Sequence, residues 1–332
     1  MTDRAGRWVT AQVGRLGRPV AEVARELGCD WHTVNDAVMA YGTPLIDDPE
    51  RIGEVPALGL DETLFAHRGR WRAQVWCTSI VDVSAQHTQL LDVVPGRSAA
   101  GPSAWLEARD QHWRDQIRFG VLDLSGPYRK TFDDTLPDAT QVADPFHLIK
   151  LANQKLDECR RRVQNETFGH RGRKDDPLYR ARRLLTKAHE RLDDRGRAKL
   201  VGLLGAGDPH GEVRDTWYAK EVIRSIYDIT DAELADQFVT QLVNDLQDRS
   251  YPIEVNSLGR TIERWHTQIV AWHKSFVSNG PTEAINNLIK RIKRIGFGFR
   301  RFAHYRIRVL LYAGRPNWDL LPSSSVHPAE IR

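Results

Sequence analysis

The 332 residues, 41% hydrophobic and 28% charged, are ordinary soluble material and long enough for two or three domains. No run of about 18 apolar residues and no N-terminal charged-then-apolar signal occurs, which speaks against membrane insertion and secretion. Cys29, Cys77 and Cys159 are too far apart for a paired framework or a CxxC metal motif, and fit a reducing cytosol.

Net charge is only +4, but its distribution says more. Ala284 to Arg308 holds eight Lys or Arg and no Asp or Glu, leaving 40 basic against 44 acidic residues elsewhere. A basic segment of this kind is either a solvated face or a phosphate-binding surface.

The first 42 residues read as a separate module. Val20, Val23, Ala24 and Leu27 form one apolar face, Gly28 breaks the helix, Asp30 caps the next, and Val34, Val38 and Tyr41 continue it. This spacing fits a helix-turn-helix over residues 1–45, with Trp31, His32, Asn35 and Asp36 facing a DNA groove and Arg15, Arg18 and Arg25 near the backbone. A helical hairpin that merely packs is the alternative, and Asp36 on a reading face argues mildly against DNA. A Pro-, Gly- and Asp-rich stretch from Tyr41 to Pro56 reads as a linker, assigned to 46–56.

Pro56 to Ala66 predicts a strand carrying Asp61, and Ile117 to Ser125 a strand running into Asp123 before the stop signal Gly126-Pro127. Between them, Arg70 to Ala85 and His87 to Val94 predict two more strands, and Ser98 to Trp113 a helix. Tyr128 to Leu136 predicts a helix, and Thr140 to Ala143 a short strand ending in Asp144-Pro145-Phe146-His147. An acid in a central strand is costly unless it sits at the strand's end, is paired or binds a cation. A lone strand-end Asp is more often a cap or turn residue.

From Leu151 to about Phe276 the pattern is helical and charged, for example Leu184 to Leu204 and Asp231 to Leu246, with loops at Phe168 to Pro177 and Gly205 to Gly211. The cluster Arg160, Arg161, Arg162, Arg171, Arg173 and Lys174 is either a DNA-backbone grip or a solvated face. For Trp217, Trp265 and Trp272, core packing is weighed above base stacking.

Near the end, SNGPTEAINNLIKRIKRIGFGFRRFAHYRIR predicts a helix in which Ile285, Leu288, Ile289, Ile292 and Ile295 form the buried stripe. Glu283 falls on the opposite side with Asn287, Lys290 and Arg294, an acid among phosphate-binding cations. The competing reading makes Gly280 the N-cap, Pro281 the first helical residue and Glu283 a helix-start acid. Phe297, Phe299, Phe302 and Tyr305, interleaved with glycines, suggest a packed turn over a substrate.

Four of these motifs together resemble the DDE transposases of bacterial insertion sequences, within them the ISL3 type. They are GLDE at Gly59 to Glu62, VLDLSGPYR at Val121 to Arg129, VADPFHLIK at Val142 to Lys150, and SNGPTEAINNLIKRIKRIGFGFR from Ser278. The resemblance spans about Leu58 to Gly314. It implies a mixed α/β, ribonuclease-H-like core in two parts, 57–155 and 278–320, interrupted by an all-α insertion at 156–277 and followed by a flexible tail at 321–332.

It also implies a catalytic, metal-binding triad of Asp61, Asp123 and Glu283. These would hold two Mg²⁺ ions about 3.5 to 4 Å apart, Mn²⁺ being an alternative, for DNA strand cleavage and transfer. Asp144 and His147 would support the site; a strand-end cap with a buried imidazole is the other reading, since two such residues make no metal site by themselves. Lys290, Arg291, Lys293, Arg294, Arg300 and Arg301 would bind DNA, with Trp31, His32 and Asn35 in the helix-turn-helix.

The implied partners are double-stranded DNA, both element ends and target, and further copies of the chain; the implied location is cytoplasmic, at the nucleoid. Members of the family usually carry a cysteine-rich zinc ribbon ahead of the helix-turn-helix, and no such cysteines occur here. A helix-turn-helix regulator without catalysis and a ribonuclease-H-like nuclease or resolvase remain as other readings.

Overall fold

The computed structural model describes residues 1–84 and 87–321. The chain forms two compact units, one made of 1–141 with the segment from Val277 onward, the other of Val142–Phe276. The tail expected at 321–332 lies, apart from Leu321, outside the described residues.

The first unit begins with α1 (Asp3–Thr10), which runs into a π-helical turn, then α2 (Val20–Glu26) and α3 (Trp31–Ile46). Gly28 takes φ +63°, ending α2, and the Asp30 carboxylate accepts the N–H groups of His32 and Thr33 at 2.7 and 3.1 Å, starting α3. Those expectations hold. The linker expected from Tyr41 does not begin there: α3 continues through Gly42 and Pro44 to Ile46. Leu45 and Ile46 are buried, and Gly42 leaves room for the side chains of Leu311 and Ile307, so packing overrides turn-forming composition.

The sheet follows: β1 (Ala57–Arg68), β2 (Ala73–Asp82) and β3 (Gln89–Pro95), then α4 (Ala100–Glu107), α5 (Gln111–Asp115), β4 (Phe119–Leu122), α6 (Gly126–Thr135) and β5 (Thr140–Ala143). Its order is β3-β2-β1-β4-β5, with β1–β2 and β2–β3 antiparallel and β4 parallel to β1. A parallel neighbour requires a crossover, which α4 and α5 supply between β3 and β4.

The second unit is helical: α7 (Pro145–Phe168), α8 (Pro177–Leu185), α9 (Asp194–Gly207), α10 (Glu212–Ser225), α11 (Ala232–Leu246), α12 (Ile253–Arg264) and α13 (His266–Ser275). The single helical stretch expected from Leu184 to Leu204 is broken at Thr186–Asp193, where Asp193 caps α9 by accepting the Gly196 N–H at 2.8 Å. Buried Lys220 closes the end of α8, its ammonium donating to the carbonyls of Leu185 and Lys187 at 2.8 and 3.0 Å.

Two members of the basic cluster, for which a DNA-backbone grip and a solvated face were both open, are ion-paired inside this unit. Arg160 is 4% exposed and bonded to Asp157, while Arg162 is held by Glu254, Glu212 and Glu166. Nearby acids claim these guanidiniums, whereas Arg171, Arg173 and Lys174 are exposed. Trp217 and Trp265 are buried, as core packing predicts.

The chain returns to the first unit with α14 (Gly280–Ile295) and α15 (Phe302–Ala313). Arg306 of α15 grips Asp92 of β3 through two bonds of 2.7 and 2.8 Å, and the buried Arg51 guanidinium donates to the carbonyls of Ile46, Leu90, Leu91 and Gly314. These bonds tie α3, β3 and α15 into one frame for the sheet.

Candidate active site

Asp61 lies in mid-β1, opposite Ser79 of β2, and Leu60 is in register with Leu122 of the parallel strand β4. Asp123, the next residue, therefore follows β4 at the level of Asp61, about 4.8 Å away across the sheet. By the alternation of the pleat, positions 59, 61 and 63 share one face with 121 and 123. The two sheet acids are neighbours because β4 runs parallel to β1 in this register.

α14 covers that face with polar residues. Asn286, 4% exposed, donates its amide N–H to Asp61 Oδ2 at 2.6 Å, and its Oδ1 accepts from Ser79 and Thr63 at 3.0 and 3.2 Å. Asp61 Oδ1 accepts the N–H of Glu62 at 2.7 Å. Gly59 makes the close approach possible: a Cβ there would lie 2.5 Å from Thr282 Oγ1 and 3.1 Å from Asn279 Oδ1.

Glu283 sits on α14 three residues before Asn286, a rise of about 4.5 Å along the axis. The helix begins one residue earlier than expected, with buried Asn279 as N-cap and Gly280 as first residue. Glu283 is half-buried; its backbone N–H donates to the Asn279 carbonyl at 3.1 Å, while its carboxylate makes no hydrogen bond or ion pair among the described residues and is not engaged in a capping box. The buried stripe is Thr282, Ile285, Asn286, Ile289 and Ile292; Leu288 and Ile295, expected in it, are half-buried.

On the other side of β1, Glu62 pairs in register with Thr78, whose hydroxyl lies 3.1 Å from the buried Tyr128 hydroxyl. Burial, and then the negative charges of Asp123, Glu62 and Asp61, push the Tyr128 phenol well above its ordinary range. Three carboxylates, Asp61 and Glu62 in the middle of β1 and Asp123 at the end of β4, thus act on one buried phenol.

Asp61 and Asp123 offer the hard oxygens that a magnesium ion takes. That donor set fits a divalent cation. Among the described residues no three His, Cys, Asp or Glu side chains stand close enough together to hold a metal ion, so Glu283 is not drawn in with the pair.

Asp144 and His147 pair with each other at the start of α7, His147 Nδ1 lying 3.1 Å from Asp144 Oδ2, and Asp144 is 3% exposed. Lys290, Arg291, Arg294, Arg300 and Arg301 are exposed, with Arg291 5.7 Å from the Tyr312 ring. Lys293 is different: its half-buried ammonium donates to the Leu64 carbonyl at the bulge of β1, and burial lowers its pKa. Trp31 and His32 are exposed, whereas Asn35 is 5% exposed. Arg18, expected near a DNA backbone, is bonded to Glu22 and Glu26.

A family model described as a transposase, the DDE transposases of ISL3 type, matches residues 58–309, from the strand carrying Asp61 into α15. This chain belongs to the ISL3-type transposase family. The match contains the acid-bearing strands, the helical unit and α14. The chain is also 28% identical over 320 residues to the transposase for insertion sequence element IS1557 of Mycobacterium tuberculosis, covering 90% of this chain and 69% of that protein. It is 24% identical over 295 residues to the transposase for insertion sequence element IS1001 of Bordetella parapertussis, covering 87% and 68%. A stretch of 55 residues, 17% of the chain, is 38% identical to an ATP-dependent protease of Lactococcus lactis, too short a segment to assign a transposase to another family.

The four motifs had pointed to this family. Asn286, Thr282 and Asn279 were missed as site residues; the signal was present as polar residues spaced at 3 and 4 on the side of α14 that meets β1. No helix among the described residues is long and apolar enough to cross a membrane.

Proposed function

We propose that this transposase cleaves DNA strands at the ends of an insertion sequence and joins the liberated 3′ hydroxyls to target DNA. The observation that carries the reading is the register of β1 and β4. It sets Asp61 beside Asp123, while the helix headed by Glu283 hydrogen-bonds Asp61 through Asn286. Mixed strand pairing with helical cover supports a ribonuclease-H-like core.

Asp61, Asp123 and Glu283 would hold two Mg²⁺ ions, or Mn²⁺. When bound, the ions supply an activated water and neutralise charge at the reacting phosphate. Asn286 holds the Asp61 carboxylate in one orientation. Lys290 and Arg294, on the exposed side of α14 with Glu283, bind backbone phosphates and set the strand's register against the acids. Arg291, Arg300 and Arg301 extend that surface, and Trp31, His32 and Asn35 belong to a DNA-reading α2–α3 module. Asp144 orients His147 as a supporting pair. Water attacks the phosphodiester and frees a 3′ hydroxyl, which then attacks target DNA, with no covalent enzyme intermediate. Two ends must be brought together, which favours a dimer or larger assembly acting at the nucleoid.

The test is strand transfer with precut ends. Joining of precut element ends to plasmid DNA, abolished by Asp61→Asn, is expected. Cutting without joining would identify a nuclease or resolvase, and sequence-specific binding without either reaction a regulator.

A further inference from the structure

A cavity of about 600 Å³ opens in the first unit between the start of α3 and the turn joining α14 to α15. Its lining is aromatic and cationic. Trp31 is 41% exposed, with its ring 6.3 Å from that of His304, and Arg300 and Arg301 stand at the rim. Phe297 is 93% exposed at φ +51°, beside Gly298 at +95°. Their N–H groups donate to the carbonyls of Arg294 and Lys293, so the turn, not packing, holds this ring outward.

Two buried donors in the same lining have no acceptor among the described residues: Asn35 Nδ2 and Arg308 Nε, on residues 5% and 3% exposed. Arg308 donates from Nη2 to the Arg18 carbonyl at 3.3 Å and pairs with no carboxylate among the described residues. Burial alone pushes its guanidinium down to about 10. A buried cation without a counter-ion and an unsatisfied amide both cost free energy until a ligand supplies acceptors. Asp36, the one acid in the lining, is exposed.

We propose that this cavity is a nucleotide subsite that receives one unstacked nucleotide of a DNA strand. Its base would lie against Trp31 and His304, its phosphate on Arg308 with Arg300 or Arg301, and a base-edge acceptor on Asn35. Aromatic faces combined with phosphate-binding cations match a nucleotide, whereas a small inorganic anion would use only the cations. A paired base is stacked on both sides and cannot enter. This inference rests on the DNA reading above and deepens it by naming an unpaired nucleotide as what the surface holds.

The test uses the full chain and fluorescence anisotropy, comparing a blunt duplex with the same duplex carrying a single-stranded 3′ tail. The quantity read is the ratio of the two affinities, so a general loss of DNA binding in a variant cancels. Wild type should prefer the tail about tenfold, and Trp31→Ala and His304→Leu should each bring the ratio near one. Deoxyadenosine monophosphate at millimolar concentration should displace the tail, and inorganic phosphate should not. A ratio near one in wild type, or an unchanged ratio in both variants, overturns the subsite. Saturable nucleotide binding tighter than that of the tail overturns the DNA strand as its source. Failure of wild type to bind either DNA is the separate result that overturns the DNA reading, and the subsite with it.

Discussion

Asn286 donates to Asp61 Oδ2 at 2.6 Å while its own carbonyl oxygen accepts from Ser79 at 3.0 Å. An ionised carboxylate only accepts, so the amide nitrogen must face Asp61, and Ser79 with Thr63 fixes the other end. Asn286→Leu keeps the volume and strands three polar groups. We expect a loss of about 1–3 kcal/mol in denaturant unfolding, with cleavage falling at least tenfold. Asn286→Asp sets two carboxylates against each other and raises their pKa in the folded state above the unfolded value. Its stability deficit should therefore shrink as pH falls through that range and grow as pH rises, read by unfolding at pH 5 and 8.

Gly59 is required by proximity, not by backbone conformation. A Cβ would meet Thr282 Oγ1 at 2.5 Å and Val83 Cγ1 at 2.6 Å, on opposing elements. Gly59→Ala should cost about 1–3 kcal/mol by overpacking. Thr282→Ala in the same chain should recover only part, because Val83 remains; full recovery would show that the Val83 side chain yields to the added methyl.

His273 gives the helical unit a pH-sensitive contribution to its stability. It is 3% exposed, its Nδ1 lies 2.8 Å from the Ile229 carbonyl, and burial, outweighing that bond, lowers its pKa from the ordinary 6.5. The unfolded chain then binds the proton more readily than the folded one. Stability should fall as pH drops below about 6.5 toward the lowered folded value, and level off beneath it. Unfolding of wild type and His273→Gln between pH 7.5 and 5 should differ in slope over that window alone.

Lys290 and Arg294 are exposed on α14, on the side shared with Glu283. Replacing both with alanine should weaken duplex binding and reduce the slope of log affinity against log salt by about two. An unchanged slope would remove both from the phosphate-binding surface.

Periodicity made the five strands and the Glu283 helix legible, because apolar runs ending at Asp61 and Asp123 survive in their local sequence. The register bringing those acids together depends on a crossover between distant segments, which no local pattern carries. Asn286 was hidden for a related reason: on a wheel an amide reads as surface, and only contact with Ser79, Thr63 and Asp61 makes burial favourable. Tyr41 to Ile46 looked like a linker because Gly42 and Pro44 signal turns, yet Gly42 is where α3 must fit close to Leu311. For Arg160 and Arg162 the sequence leaves a DNA grip and a solvated face equally open, because the acids pairing with Arg162, Glu212 and Glu254, lie 50 and 92 residues away.

The central claim is that Asp61, Asp123 and Glu283 act together. Its most direct measurement is Mg²⁺-dependent cleavage of an element end by purified Asp61→Asn, Asp123→Asn and Glu283→Gln, with duplex affinity measured on the same preparations. The account predicts that each single variant binds DNA and fails to cut. Cleavage at the wild-type rate by any one of them would contradict it.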